Sequence, residues 1–492
     1  MNKTGITKRP SLFLNYIYNL SSQLLNILFP IITAPYLARV LHEEGNGQIA
    51  FVTSVVAYFV SFTTFGFAIY GQREVARYKD DAEKRSRIFF EILILKVLFC
   101  TVSVSALFLL IHSPYIMPGY KSLMSICSIQ VVSVVFDIRF FFWGIEDFRE
   151  VAIRTIIMRL LGIICMFLFV KEQNDVWKYL LYISLIGLLA NVIMWPKALR
   201  LVKPSETDIR SLKAYIRPLF FIYLPVLAET VFSALDSTMI GYLADNREYE
   251  NGCYGSAIKI VNVVSVIMMA DGLVFASRNA SDYAKGNDDS LREHLRIAFR
   301  YVWMIGFPII AGILVLSDQI SLCVFGQGYE KVPLLLRLFT VRVLTHGIMN
   351  VIVNQYLLPT GREKICTALN FGAIAANIIL NRILIPGNGC IGAAIASIIS
   401  ESLLTLAFFA YFAYEKKYWN KVIFLQSYKY IIASLIMCIP VIMLKQALSF
   451  RWYYVGMIIS IGALVYGLSL LALKDEMILV YGKRIIAKIK ER

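Results

Sequence analysis

"LPVLAETVFSALDSTMIGYLAD", Leu224 to Asp245, has the length and apolarity of a membrane-spanning helix, yet it carries two carboxylates. Glu229 and Asp236 are seven positions apart, so a helix would hold them on one face, roughly 10 Å apart along its axis. An ionised side chain at the centre of a bilayer costs about 3 kcal/mol on insertion scales, so such groups are expected to face a water-filled cavity or a partner. The stretch reads as one wall of a cleft inside an all-α integral membrane protein.

The rest of the chain supports that reading. Of its 492 residues 58% are hydrophobic, and the mean hydropathy is +0.66, beyond what a soluble domain exposes. Fourteen apolar spans can be placed, at 12–40, 48–70, 88–111, 122–143, 153–170, 178–196, 218–243, 253–276, 297–317, 334–358, 365–386, 391–414, 428–446 and 453–473. An even count puts both termini on one side of the membrane. With that side cytoplasmic, the great majority of Lys and Arg between spans fall on the inside, as the positive-inside rule requires. The first apolar stretch is too long for a signal-peptide core and reads as a retained helix.

Several functions are excluded or weakened. The net charge of +16 is spread between the spans, not gathered on one surface, so nucleic acid is not an expected partner. Eight cysteines show no metal or redox spacing, and the four histidines are not paired as ligands, so no metal and no catalytic residues are assigned. There is no P-loop and no HExxH motif. The outside connections are short, the longest being "DQISLCVFGQGYEKVP", and leave no room for an extracytoplasmic catalytic domain. The Asn-x-Ser matches at Asn19 and Asn279 fall in a span and on the cytoplasmic side.

The chain also repeats itself. "GNGQIAFVTSVVAYFVSFTTFGFAIYGQREVARY" and "ENGCYGSAIKIVNVVSVIMMADGLVFASRNASDY" share a layout, with Gly47 and Gly66 bracketing one copy and Gly252 and Gly272 the other. Each runs on to an arginine, Arg73 or Arg278, and a tyrosine, Tyr78 or Tyr283. Six spans separate the copies, which predicts two pseudo-symmetric lobes related by an axis along the membrane normal, around a central cavity. The expected organisation is an N-lobe at 1–196, a basic cytoplasmic linker at 197–217, a C-lobe at 218–414, and two further spans with a basic tail at 415–492. The linker, "KALRLVKPSETDIRSLKAYIR", holds a capping start at "SETD" and would lie against anionic headgroups of membrane lipids.

"PYLARVL" at Pro35 to Leu41 with "GNGQIAF" after it, "ALDSTMIGYLAD", "LLPTGREK" at Leu357 to Lys364 and "GNGCIGAAIASIISE" at Gly387 to Glu401 give the whole chain a resemblance. It resembles the oligosaccharide flippases of the Wzx type, in the MOP superfamily that also holds the MATE multidrug exporters and the peptidoglycan lipid flippases. The resemblance implies a MATE-like arrangement of fourteen helices in two lobes opening alternately to either side. It also implies an undecaprenyl-diphosphate-linked oligosaccharide repeat unit as substrate, for O-antigen, capsule or another surface polysaccharide. A polymerase and a chain-length regulator are the implied partners, and the bacterial inner membrane the implied location.

Against that substrate the intramembrane charges take on roles. A diphosphate needs cationic donors, and arginine supplies bidentate geometry that lysine lacks. Arg39, Lys259, Arg337, Arg342 and Arg382 are the candidates to line the cavity. Glu91 with Lys96, and Asp137 with Arg139, are close enough in sequence to pair locally. For Glu229 and Asp236 two roles compete: holding the cationic side chains in position, or binding Na⁺ or H⁺ to couple cation entry to substrate export. No cofactor is required, because the membrane potential alone favours outward movement of an anion by about 2.3 kcal/mol per charge per 100 mV. Pro30 and Pro225, in the first spans of the two copies, are candidate hinges. The competing reading is a MATE-like cation-coupled exporter of small molecules, which would share the fold but show an acidic cavity with fewer arginines. A polysaccharide polymerase or acyltransferase would need larger outer loops.

Overall fold

In lipid every backbone N–H and C=O must be bonded within its own segment, which leaves an apolar run little choice but a helix. The computed structural model describes residues 12–203, 209–270, 272–415, 427–448 and 452–479, and among them there is no strand. Side chains of 12–28, 209–211, 273 and 274 are not included, so Gln23 and Asn26 lie outside the described residues, as do Asp271, the 205–208 stretch and the tail beyond 479.

Among the described residues eleven helices are long and apolar enough to cross a membrane. Two of them, Phe29–Arg77 with 49 residues and Glu363–Tyr414 with 52, are each more than twice what one crossing needs. Both are broken inside, at His42 (φ 55°) and at Gly389 (φ 55°). A histidine at positive φ is uncommon. At His42 the break is held by Asn46, whose Nδ2 donates to the carbonyls of His42 (2.9 Å) and Leu37 (3.2 Å).

The chain forms two compact units, Met1–Gly252 and Cys253–Arg492. The first holds α1 (Leu12–Thr64), α2 (Phe67–Arg77), α3 (Ala82–His112), α4 (Pro118–Ser133), α5 (Arg139–Gly144), α6 (Phe148–Phe169), α7 (Val176–Val192), α8 (Trp195–Leu201) and α9 (Ile209–Leu243). Helix α10 (Arg247–Met268) begins in the first unit and continues in the second. There follow α11 (Gly272–Ala284), α12 (Asp288–Val324), α13 (Val332–Leu338), α14 (Thr340–Met349), a π-helical turn at Asn350–Leu357, α15 (Glu363–Tyr414), α16 (Ser427–Ala447) and α17 (Trp452–Ala472).

Local chemistry sets several boundaries. Gly66, at φ 75°, lets the chain turn from α1 into α2. Asp81 caps α3 by accepting from the backbone N–H groups of Lys84 (3.0 Å) and Glu83 (3.2 Å). The N–H of Lys84 is also the main reason its carboxyl titrates below the ordinary range. Pro118 opens α4, where a missing N–H costs nothing.

In the first unit α1 packs against α3, α4, α6 and α9, and α4 against α7. One buried cluster gathers Leu41, Phe51, Tyr120, Met124 and Val176. A second is built from rings, with Phe67, Phe89, Phe140, Phe141 and Phe142 all fully buried. In the second unit α12 packs against α14, α16 and α17. Its Arg300, 5% exposed, donates to Glu476 (3.0 Å) and Asp475 (3.3 Å) just beyond α17. The eight cysteines are free and five are buried, the small-hydrophobe role expected of them. Asn279 is fully buried and donates to the carbonyl of Gln355 (2.8 Å), out of reach of any modifying enzyme.

The two glycines that open the copies of the repeat, Gly47 and Gly252, meet backbone. A Cβ built on Gly47 would overlap the carbonyl of Glu248, and one built on Gly252 would overlap the carbonyl of Glu43. Glu43 precedes Gly47 as Glu248 precedes Gly252, so matched positions make the same contact in both directions, as a local two-fold relation requires. Asn46 and Asn251, the residues before the two glycines, each donate back to a carbonyl of the preceding helix, Asn251 to Ser237 (2.9 Å). Gly47→Ala and Gly252→Ala should each destabilise the purified protein by about 2 kcal/mol, the cost of overpacking, seen as a fall in melting temperature. Gly187→Ala, whose Cβ would meet nothing within 4 Å, should leave it unchanged.

Candidate functional site

Arg342 and His346 are one helical turn apart on α14, so guanidinium and imidazole share a face. Opposite them on α15 stands Glu401, 3% exposed. Arg342 donates through Nε to Oε2 (3.0 Å) and through Nη2 to Oε1 (2.6 Å), a two-point fork on the carboxylate. His346 Nε2 lies 3.3 Å from the same Oε1, and its Nδ1 lies 2.7 Å from the Ser265 hydroxyl on α10. Three helices of the second unit thus meet at one buried charged network. The helix carrying Arg342 and His346 passes directly into the π-helical turn, where Leu358 N bonds Val353 O five residues back. Such turns often mark functional positions. The wide turn is braced from α11, where Gly272 lies against the Asn350 side chain.

The other cationic candidates are placed differently. Arg337 donates to Ser317 Oγ (2.7 Å) and Asp318 (2.6 Å), and Lys445 also approaches Asp318 (3.6 Å). Lys259, on α10, is half-buried. Arg39 is exposed, with a long contact back to the Pro35 carbonyl (3.4 Å), and Arg382 is exposed on α15.

Glu229 and Asp236 do not share one environment: Glu229 is exposed, whereas Asp236 is 4% exposed. Two residues beyond Asp236, Thr238 donates to Ser54 Oγ (2.9 Å) and meets the Tyr58 hydroxyl (3.2 Å), tying α9 to α1. The helices run through Pro30 and Pro225 without leaving helical geometry, and the break in α1 falls at His42.

In the first unit the Asp137–Arg139 pair forms as its sequence neighbourhood suggests, with Arg139 Nη2 2.6 Å and Nε 2.8 Å from the carboxylate. The expected Glu91–Lys96 pair does not. Glu91, 1% exposed, takes Arg87 (2.9 Å) and the Tyr215 hydroxyl (2.5 Å), while Lys96 donates to the carbonyls of Val134 and Asp137. The reason is direction: residues five apart on a helix point to different faces, whereas Arg87 lies one turn from Glu91. Sequence reasoning also missed His346 and Ser265, for which the available signal was the one-turn spacing of Arg342 and His346.

The Arg342–Glu401 pair yields a direct test. Removing either partner takes away the two-point fork that holds the other's buried charge, so Glu401→Gln or Arg342→Gln should cost about 3–5 kcal/mol. The double replacement Arg342→Leu with Glu401→Leu should recover most of that loss in a denaturation cycle.

Comparison with known proteins agrees with this architecture. The chain is 24% identical over 386 residues to a putative O-antigen transporter of Shigella dysenteriae, covering 77% of this chain and 95% of that one. Among solved structures it superposes on the lipid II flippase MurJ in an inward closed conformation with a TM-score of 0.73 at 16% identity, covering 96% of this chain and 100% of that one. An inward-facing multidrug resistance MATE family transporter of the MOP superfamily gives 0.61 at 14% identity, covering 81% and 93%. These likenesses show a MOP-type fold in a multi-pass membrane protein. Residues 12–272, more than half of the sequence, match the family model described as polysaccharide biosynthesis protein, and the chain belongs to that family.

Proposed function

We propose that this protein is a flippase, a transporter and not an enzyme, moving undecaprenyl-diphosphate-linked oligosaccharide repeat units from the cytoplasmic to the outer leaflet by alternating access. The observation that carries the reading is the family match over residues 12–272, joined to relatives whose name is O-antigen transporter over nearly their whole length. The product would serve surface polysaccharide synthesis, with a polymerase and a chain-length regulator acting after release. On this reading the protein sits in the bacterial inner membrane with both termini in the cytoplasm, and its lobes are 1–196 and 218–414, joined by the basic 197–217 linker.

The intramembrane cations then divide by how they are held. Arg342, forked onto Glu401, is a positioning residue that fixes α14 against α15. Lys259, with Arg39, Arg337 and Arg382, is proposed to meet the diphosphate. Glu229 and Asp236 are proposed to balance those cations in the empty state or to bind the coupling cation. A potential-driven cycle in proteoliposomes should respond to an imposed voltage and to neither pH nor Na⁺. An ion-coupled one should show a pH or Na⁺ dependence that disappears in Asp236→Asn.

Mass spectrometry of lipids from cells depleted of this protein, with the initiating sugar transferase active, tests the function itself. The expected result is accumulation of the completed undecaprenyl-diphosphate repeat unit in the cytoplasmic leaflet. Absence of that lipid, with retention of small cationic compounds by the depleted cells, would replace the flippase by a MATE-like exporter.

A further inference from the structure

At one end of the first unit, three connections converge on a cavity of about 500 Å³. Its polar lining comes from Glu44 and Gln48 just after the break in α1, Ser122 in the first turns of α4, and Gln173 and Asn174 before α7. Trp177, 47% exposed, adds an indole to the wall, and buried Leu123 and Val176 form apolar floor. The size falls within the usual range for small-ligand sites.

The walls are held before any ligand arrives. Asn46 fixes the break at His42 on one side. On the other, the Asp175 carboxylate accepts from the backbone N–H groups of Lys171 (2.8 Å) and Glu172 (3.1 Å) and pairs with Lys178 (2.6 Å). Gly45 lets the two sides close up, since a Cβ there would already sit 3.1 Å from Val176. The side chains that face the cavity are not consumed by this scaffolding. Among the described residues, Glu44, Gln48, Ser122, Gln173 and Asn174 make no side-chain hydrogen bond or ion pair to another protein group.

That inventory has a chemical signature. Carboxamides donate and accept in one plane, and a carboxylate accepts from two adjacent hydroxyls, which together match the edge of a pyranose ring. An exposed indole offers an apolar face to the C–H face of the same ring. No Lys or Arg lines the cavity and one carboxylate does, so phosphate and uronic acid are disfavoured.

We propose that this cavity is a binding subsite for a neutral or amino-bearing sugar. It rests on the flippase reading in one respect: the connections that build it are those assigned to the outer side, so its occupant is a sugar of the repeat unit after translocation. The site is separate from the cationic residues proposed for the diphosphate, none of which lines it.

Saturation-transfer NMR on the full-length protein in nanodiscs tests this with four probes, the methyl glycosides of galactose, rhamnose, N-acetylglucosamine and glucuronic acid. At least one of the first three should give a saturable signal, and the glucuronide none. Trp177→Ala and the cavity-filling Ser122→Trp should each weaken binding at least tenfold while keeping the wild-type melting temperature. If Trp177→Ala fails to fold, the paired change Gln173→Ala with Asn174→Ala, at exposed positions, takes its place. Absence of binding by every neutral glycoside, equal binding of the glucuronide, or binding unchanged in the folded variants would overturn the proposal. Displacement of the glycoside by lipid extract from transferase-active cells, and not from transferase-deficient ones, supports a lipid-linked occupant. Displacement by neither supports a free glycan at the same sugar site. Glycoside binding without lipid accumulation on depletion would remove the flippase reading and leave the subsite, and the reverse pair of results would remove the subsite alone.

Discussion

A charge in hydrocarbon has no water to turn to, so each ionised group kept inside a membrane helix must find its partner within the protein. Among the described residues several buried charges meet that demand by joining helices. Glu401 draws Arg342 and His346 to α15, with Ser265 of α10 behind them. Glu91 of α3 takes the Tyr215 hydroxyl from α9. Arg300 of α12 reaches the carboxylates beyond α17. Lipid gives helices little hydrophobic reason to associate, so such polar contacts and close packing have to set which helices touch.

Close packing is supplied where side chains are smallest. Gly47 and Gly252 bring one helix start against the backbone of the other segment in a reciprocal contact. Gly71 lies against the Phe140 ring and Gly144 against Val75, so α2 and α5 approach within the same unit by the same device. In these pairs one surface has no side chain, and a single methyl group has nowhere to go. The repeat in the sequence is therefore more than a trace of duplication, because one matched pair of its glycines, Gly47 and Gly252, stands where backbone meets backbone.

Much of this was legible in the sequence, and the limits have physical causes. Apolar runs long enough to cross a bilayer announce helices, and "GNGCIG" announces the break near Gly389. The Asp137–Arg139 pair is visible because the residues are neighbours. The Arg342–Glu401 fork is not, because the chain separates the partners by a whole helix and only packing chooses between Glu401 and any other intramembrane acid. The break at His42 falls in the gap between the first two apolar runs and was legible too; what the sequence did not show is that Asn46 holds it, through bonds that no periodicity records. The polar lining around Trp177 was hidden likewise, since its members come from three separate connections and each alone reads as an ordinary loop residue.

On the proposed reading the two kinds of site divide the work according to charge. An inside-negative potential already favours outward movement of an anionic headgroup by about 2.3 kcal/mol per charge per 100 mV. Cations inside the membrane replace the water that a diphosphate loses, but a further set of cations at the glycan end would hold the headgroup back from release. A cavity at the outer end with a carboxylate and amides, and with no Lys or Arg in its lining, can hold a sugar without holding the phosphates. Retention there would involve no cation, so it could orient the departing glycan without cancelling the electrical gain that carried its headgroup across.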